Sequence, residues 1–241
     1  MSILRVIDTD LADPAYTVAL DSAMLLARGV GEVPDTLHLY RRSRPTISVG
    51  YFQDVSSTVD VKIASEMGIS IIRRASGGSS IYTDPGQVIF SVILPTNEVP
   101  ENPLGSYQLF CRCVVQALQA LGIGAEWKSL NDIVVKGRKI SGSAQARKHG
   151  AVLHHGTLLV DTDLDLMMRV LRPREGRPVR SADEMTTVVQ ELRRDVPVDA
   201  VKQALVEGFA SGLGKRPIRG CLTPFEKEEV KRSIGGAYCI P

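Results

Sequence analysis

The chain contains no apolar run approaching the roughly 18 to 20 residues needed to cross a bilayer. Its charges nearly balance, with 29 Lys and Arg against 27 Asp and Glu. The first absence argues against a membrane protein. The second argues against a nucleic-acid partner, which would call for positive charge gathered on one face; here the basic residues are spread along the chain. Asp8 and Asp10 interrupt the N-terminal segment before a signal-peptide core can form. Cysteine is scarce, at four residues. Cys111 and Cys113 lie two apart in a helical pattern and so point to different faces, while Cys221 and Cys239 have neither CxxC spacing nor a histidine close by. Neither a metal site nor a disulfide framework is expected, and a cytoplasmic, reducing compartment is. No G-x-G-x-x-G follows the first strand and no G-x-x-x-x-G-K-[ST] occurs, which removes the Rossmann and P-loop ways of holding a nucleotide.

What is present is enough for a full core: 241 residues, 44% of them hydrophobic. Asp13-Pro14 opens a helix over 14–29, with Ala15, Val18, Ala19, Ala23, Leu25 and Leu26 at helical spacing. Short strands are expected at 38–40, 46–49 and 69–73, a helix at 59–66, a strand at 87–94 and a helix at 107–121. Strands follow at 124–127, 131–136, 138–144 and 151–160, the last pair forming a hairpin across 147–150. Helices are expected over 163–171, 181–192, 197–211 and 223–234, with 172–178 as the best linker candidate. Interleaved strands and helices favour an α/β or α+β layered domain, a mixed central sheet flanked by helices.

Two segments carry the chemistry. In Arg73-Arg74-Ala75-Ser76-Gly77-Gly78-Ser79-Ser80-Ile81-Tyr82, an arginine pair meets a run of small residues. In Asn131-Asp132-Ile133-Val134-Val135-Lys136-Gly137-Arg138-Lys139-Ile140-Ser141-Gly142-Ser143-Ala144, an Asn-Asp pair and a Gly-Arg-Lys turn precede a second such run. Small residues let backbone N–H groups approach a ligand, and neighbouring cations suit phosphate or carboxylate. Together they point to one anionic, nucleotide-like ligand held from both sides.

The first segment, with Tyr82, Asp84 and Gly86 after it, resembles the nucleotide-and-acyl loop of lipoate–protein ligases. The second is similar to that family's lysine motif, and His154-His155-Gly156-Thr157-Leu158-Leu159 completes it. Upstream, Tyr40-Arg41 and Thr46 to Gln53 resemble the early strands. The resemblance spans about 15–172 in four ordered motifs. It implies a biotin/lipoate ligase-like catalytic domain over 1–241, with 173–241 as a helical portion packed on it and no separate accessory domain.

It also implies a two-step activity. Lipoate and Mg-ATP would give lipoyl-AMP, and a lysine of a lipoyl-domain acceptor would then take the acyl group, with a separate accessory polypeptide as a further potential partner. Lys139 would be the catalytic cation beside the lipoate carboxyl and the α-phosphate; outside this motif it reads as a solvated turn lysine. Arg74 would hold a phosphate oxygen. Ser76, Gly77, Gly78, Ser79, Ser80, Ile81 and Tyr82 would close over nucleotide and lipoate. Asp132 would take a Mg²⁺ or phosphate-side role. Asn131 would bind the nucleotide or end a loop. Gly142, Ser143, His155 and Gly156 complete the binding set, with His154-His155 equally readable as a packed hairpin pair.

Ser79 and Thr83 depart from the family pattern, replacing a glycine and a histidine, and they touch the shape of the acyl pocket. Two other readings stand beside the ligase. One is an octanoyltransferase of the same superfamily, moving octanoyl from acyl carrier protein through a cysteine; Glu126 to Asp132, where some of those relatives carry that cysteine, has none. The other is a non-catalytic lipoyl-binding homologue.

Overall fold

A computed structural model describes residues 2–128, 130–172, 181–234 and 239–240. In chain order the elements are β1 (Ile3–Ala12), α1 (Pro14–Gly29), β2 (Thr36–Arg42), β3 (Thr46–Val49), α2 (Val55–Thr58), α3 (Val61–Glu66), β4 (Ser70–Arg73), β5 (Ile81–Thr83) and β6 (Gln87–Pro95). There follow α4 (Pro103–Ala120), β7 (Glu126–Lys128), β8 (Asp132–Val135), β9 (Arg138–Lys148), β10 (Ala151–Leu159), α5 (Leu164–Val170), α6 (Val188–Leu192), α7 (Val198–Leu213), β11 (Arg216–Arg219), α8 (Pro224–Ile234) and β12 (Cys239–Ile240). Most of the linker candidate at 172–178 falls outside the described residues.

Eight strands form a mixed sheet in the order β11-β1-β2-β6-β10-β9-β8-β7, and four form a smaller sheet, β12-β4-β3-β5. The fold class is thus the mixed α/β arrangement read from the sequence. β6 and β10 sit centrally and are covered on both faces, which is why Val88 to Leu94 is apolar toward both faces, broken only by Ser91, rather than alternating. On one face Val88, Phe90, Val92 and Leu94 pack with Phe110, Val114 and Leu118 of α4 and with Leu205 and Phe209 of α7. On the other, Ile93 and Leu153 pack with Leu20 and Met24 of α1 and Val230 of α8. The small sheet has its own core, with Ile47, Val49 and Tyr82 against Met167 and Val170 of α5.

Local rules place the boundaries. Asp13 caps α1 by accepting from Ala15 N and Tyr16 N, with Pro14 in the first turn. Asn102 caps α4, which therefore begins at Pro103 rather than at Tyr107. The expected helix over 59–66 is α3, capped by Asp60 so that it begins at Val61, and Asp54 caps a separate short helix, α2, that the sequence reading did not mark. The expected helix over 181–192, by contrast, is interrupted. Ala182–Glu184 is a single 3₁₀ turn, Thr186 N donates to Lys139 O at 2.9 Å beside β9, and Thr187 caps α6. The sequence reading also missed β1, whose Asp8 and Asp10 look like loop residues. Lys202 Nζ neutralises them at 3.0 and 2.6 Å, and Arg41 grips Asp10 with two 3.0 Å bonds.

The C-terminal helix is fastened by charge. Arg5 and Glu226 form a two-bond pair, at 3.0 and 2.5 Å, in which the glutamate is fully buried. Removing one partner strands the other without water, which typically costs about 3 to 5 kcal/mol. Arg5→Met should therefore lower urea stability by that order, and Arg5→Met with Glu226→Leu should recover most of the loss. Equal losses in the single and double variants would contradict a desolvation origin.

Candidate functional site

The site forms where the small sheet meets β9 and β10. In β10, His155 and Gly156 pair with Ala144 and Ser143 of β9. Side chains alternate across a strand, so His154 and His155 leave on opposite faces. His154 enters the α4 core, stacked 4.4 Å from Phe110 and fully buried. His155 turns toward α1 and the Gly-Ser loop.

Lys139 returns over β9. A Cβ on Gly142 would lie 2.6 Å from Lys139 Nζ, so the glycine is what lets this side chain lie across the strand. Its ammonium meets Asp132 Oδ1 at 2.5 Å, at the start of β8. Asn131 ties the same corner: its Nδ2 donates to Ser143 O at 2.9 Å, and Ser143 N donates to Asn131 O at 3.1 Å. Gly156 is needed for packing, since a Cβ there would sit 2.4 Å from the Phe90 ring.

The loop after β4 is built around two guanidinium groups. Arg74 is buried; its Nη1 donates to Ser48 O at 2.7 Å, its Nη2 to Gly77 O and Ser79 O at 2.8 and 2.7 Å, and its Nε to Ser76 Oγ at 3.2 Å. Burial brings it down to about 10. Arg73 Nη1 gathers the carbonyls of Gly50, Tyr51 and Gln53. Gly78 adopts φ 94°, a backbone conformation that L side chains rarely take, and rests against Ala144. Ser80 Oγ donates to Gln53 Oε1 at 3.0 Å and meets Thr58 Oγ1 at 2.9 Å. Ile81 opens β5, while Tyr82 turns into the small-sheet core, where burial raises its phenol above the usual range. Thr83 is buried and donates to Thr46 O at 3.1 Å.

Beneath this loop a polar network joins two expected residues, Ser76 and His155, to an acid that sequence reasoning missed, Asp21. Ser76 Oγ is 2.6 Å from His155 Nε2, and His155 Nδ1 is 3.7 Å from Asp21 Oδ2. Asp21, on α1, also accepts from Ser91 Oγ at 2.7 Å, Tyr40 OH at 3.2 Å and His38 Nδ1 at 3.0 Å. Although desolvation opposes ionisation, His155 and His38 hold its carboxyl well below the usual carboxylate range. One signal was available: Asp21 lies three after Val18 and four before Leu25, an acid on the apolar stripe of α1.

The thiols sit elsewhere or too deep. Cys111 lies under Ser143, and burial pushes it up to about 12. Cys113 is buried between α4 and Gly212 of α7 and is likewise raised to about 12. Cys221 is exposed and unpaired. Among the described residues no group of three or more His, Cys, Asp and Glu is placed to hold a metal ion.

Residues 13–210 match the family model of the lipoyl protein ligase A/B catalytic domain. The chain belongs to that family. It is 32% identical to Octanoyltransferase LipM of Kyrpidia tusciae, with 96% of this chain and 95% of the relative covered. Against the LipM of Bacillus subtilis the identity is 28%, over 87% and 86%. Among solved structures, a bi-partite lipoate protein ligase from Thermoplasma acidophilum superposes with a TM-score of 0.87 at 28% identity, covering 97% of this chain and 92% of that one.

These relatives correct the sequence reading. The family expectation stands, but the curated relatives over nearly the whole chain are octanoyltransferases, which overturns the ATP-dependent, acyl-adenylate-forming ligase. The ATP and Mg²⁺ requirement falls with it. The site is consistent with the correction: Arg74 binds loop carbonyls, and Asp132 is paired with Lys139.

His154 generates a pH prediction. Its Nδ1 accepts from Gln145 Nε2 at 2.9 Å, its Nε2 has no partner, and burial keeps it neutral, well below the ordinary histidine range. A base whose folded pKa is depressed contributes stability above its unfolded value of 6.5 and loses it as pH falls below that value. Between pH 7.5 and 5.5 the stability gap between wild type and His154→Phe should therefore move in the variant's favour by about 1.4 kcal/mol. Urea melts at the two pH values measure this, and an unchanged gap would show that the ring protonates in the fold.

Proposed function

We propose that this chain is an octanoyltransferase: it moves an octanoyl group from an acyl-carrier-protein thioester to a lysine ε-amine on a lipoyl-domain protein. The observation that carries this reading is the similarity to octanoyltransferases over nearly the full length of both chains. The reaction exchanges a thioester for an amide. The amine nitrogen bonds the acyl carbon, the C–S bond breaks, and the amine proton ends on the departing thiolate. A tetrahedral oxyanion forms on the way, and a fixed cation near it lowers the barrier. Lys139, held over Gly142 by Asp132, fills that role.

The Gly77-Gly78 loop and Ser143 would frame the acyl carbonyl, while Ser76 and His155 would handle protons. Free Cys111, Cys113 and Cys221 fit a reducing, cytoplasmic compartment. Among the described residues no helix is long and apolar enough to cross a membrane.

The test is intact-mass spectrometry of a lipoyl domain incubated with the purified chain and octanoyl-acyl carrier protein, without nucleotide or any accessory polypeptide. A parallel reaction supplies lipoate and Mg-ATP. One octanoyl group gained from the carrier thioester is the expected result. Modification only from free acid with ATP would overturn the proposal, and no modification in either reaction would favour a non-catalytic homologue.

Two variants define the lysine's part. Lys139→Ala should slow transfer on the order of a hundredfold, the loss of one charge-stabilising contact. Gly142→Ala should change stability by less than about 1 kcal/mol, because the displaced neighbour is a flexible side-chain end. It should still slow transfer at least about tenfold by moving the ammonium. Normal turnover in Gly142→Ala would remove Lys139's position from the argument.

A further inference from the structure

A strand that lacks a neighbour for part of its length offers main-chain groups that water or another chain must satisfy. β9 is 11 residues long, but β8 pairs with it only from Arg138 to Gly142. Ser143 is the last position held from that side, through Asn131. Beyond it, among the described residues, no strand lies beside 144–148, although β10 pairs with all five on the other side. Ser143 turns both its N–H and its C=O toward Asn131. Main-chain groups alternate along a strand, so Gln145 and Arg147 turn theirs to the same, open side. The Tyr107 phenol reaches the Gln145 backbone. Arg147 has no main-chain partner on that side among the described residues.

We infer that this open edge, Gln145 to Lys148, receives an extended segment of the lipoyl-domain acceptor by strand addition, and so brings the acceptor's lysine alongside Lys139.

The inference rests on the octanoyltransferase reading for the identity of the acceptor, and four observations support it. The first is continuity with the site. The Lys139 ammonium lies against Gly142, three residues or about 10 Å along the strand from Gln145. A lysine side chain has only a four-carbon stem, so the acceptor's own main chain must pass close to this corner.

The second is what flanks the edge. Lys148 Nζ lies 5.4 Å from the centre of the Tyr51 ring, and the neighbouring Phe52 is 87% exposed. Exposed aromatic side chains are common anchors of protein interfaces. Arg73 grips the carbonyls of Gly50, Tyr51 and Gln53, so the turn that presents both rings is ordered in advance and costs little to dock.

The third is charge. Arg147 and Lys148 stand exposed at the outer end of the edge, which favours an acceptor segment carrying carboxylates near its lysine. The fourth is the absence of the usual protection. β11, the far edge of the same sheet, is blunted by Pro217, whereas 144–148 contain no proline. Main-chain bonding along such an edge supplies affinity, and the flanking side chains supply selectivity.

The test follows amide exchange at Arg147 by NMR in the full chain, with lipoyl domain or acyl carrier protein added, and compares the acceptor KM of two variants. Lipoyl domain should slow exchange at Arg147 by about tenfold or more. Arg147→Pro removes the outward N–H and should raise the acceptor KM about tenfold, the loss of one hydrogen bond. Its KM for octanoyl-acyl carrier protein should match wild type, which also shows that the fold survives. Arg147→Lys keeps the amide and the charge and should stay within about threefold of wild type. Protection of Arg147 by the carrier protein in place of the lipoyl domain would overturn the inference. So would an unchanged acceptor KM in Arg147→Pro, or an equal rise in both variants. If Arg147→Pro does not fold, exchange in the wild-type chain decides alone. That readout needs no turnover, so failure of the octanoyltransferase reading is seen separately, as an acceptor that binds and stays unmodified.

Discussion

Everything in the site depends on the register of β10 between β6 and β9. Because side chains alternate, a slip of one residue would exchange His154 and His155, placing the Asp21 partner against Phe110 and the core histidine under the loop. Gly156 guards against that slip. It is the position where the Phe90 ring approaches most closely, and any residue with a Cβ would collide with the ring and with Gly142 O. Gly142 makes room on β9 for Lys139. Two glycines on neighbouring strands thus decide where an imidazole and an ammonium point.

The second organising element is inward-facing charge. Arg73 and Arg74 look in the sequence like a phosphate clamp. In the fold their donors close two loops, drawing the 50–53 turn and the 76–79 turn onto the ends of β3 and β4. A guanidinium suits this because several donors in a fixed fork can satisfy carbonyls from separate turns at once. The cost of burying Arg74 is offset by those bonds and by shape: the loop that holds Ser76 is fixed by the same group that donates to its hydroxyl. Asp21 is handled in the opposite sense, as a buried acceptor satisfied by hydroxyls and imidazoles. Buried ions are weak evidence for stability, so their placement next to the loop is better explained by chemistry than by folding.

Much of this was legible beforehand, and the reasons differ by element. The layered α/β class, α1, β6, α4 and the β9–β10 hairpin follow from periodicity and turn residues, which act locally. The Lys139 motif was legible because its small residues have few other uses. β1 was not, since Asp8 and Asp10 break its apolar pattern and are neutralised by Lys202 from a helix nearly two hundred residues later. The segment leading to α6 read as helix because the extended backbone that interrupts it is fixed by a contact with Lys139, again distant in sequence. Asp21 was missed for a related reason: an acid on an apolar helix face has meaning only once its partners on β2, β6 and β10 are known.

The same scaffold occurs in a lipoate ligase from Thermoplasma acidophilum and, by sequence, in octanoyltransferases, so fold alone does not choose between the chemistries. The demands on the site do differ. Making an acyl adenylate places new negative charge on phosphate oxygens and asks for cations directed outward to meet them. Aminolysis of a thioester starts from an activated acyl group and asks for a base to take a proton and one cation beside the carbonyl oxygen. In this chain the arginine pair faces inward, Lys139 is paired with Asp132 over the strand, and an imidazole lies under the loop with a carboxylate behind it. That inventory matches proton transfer better than phosphate binding. On the octanoyltransferase reading the glycine-rich loop has a use other than phosphate binding: it holds Ser76 within reach of His155.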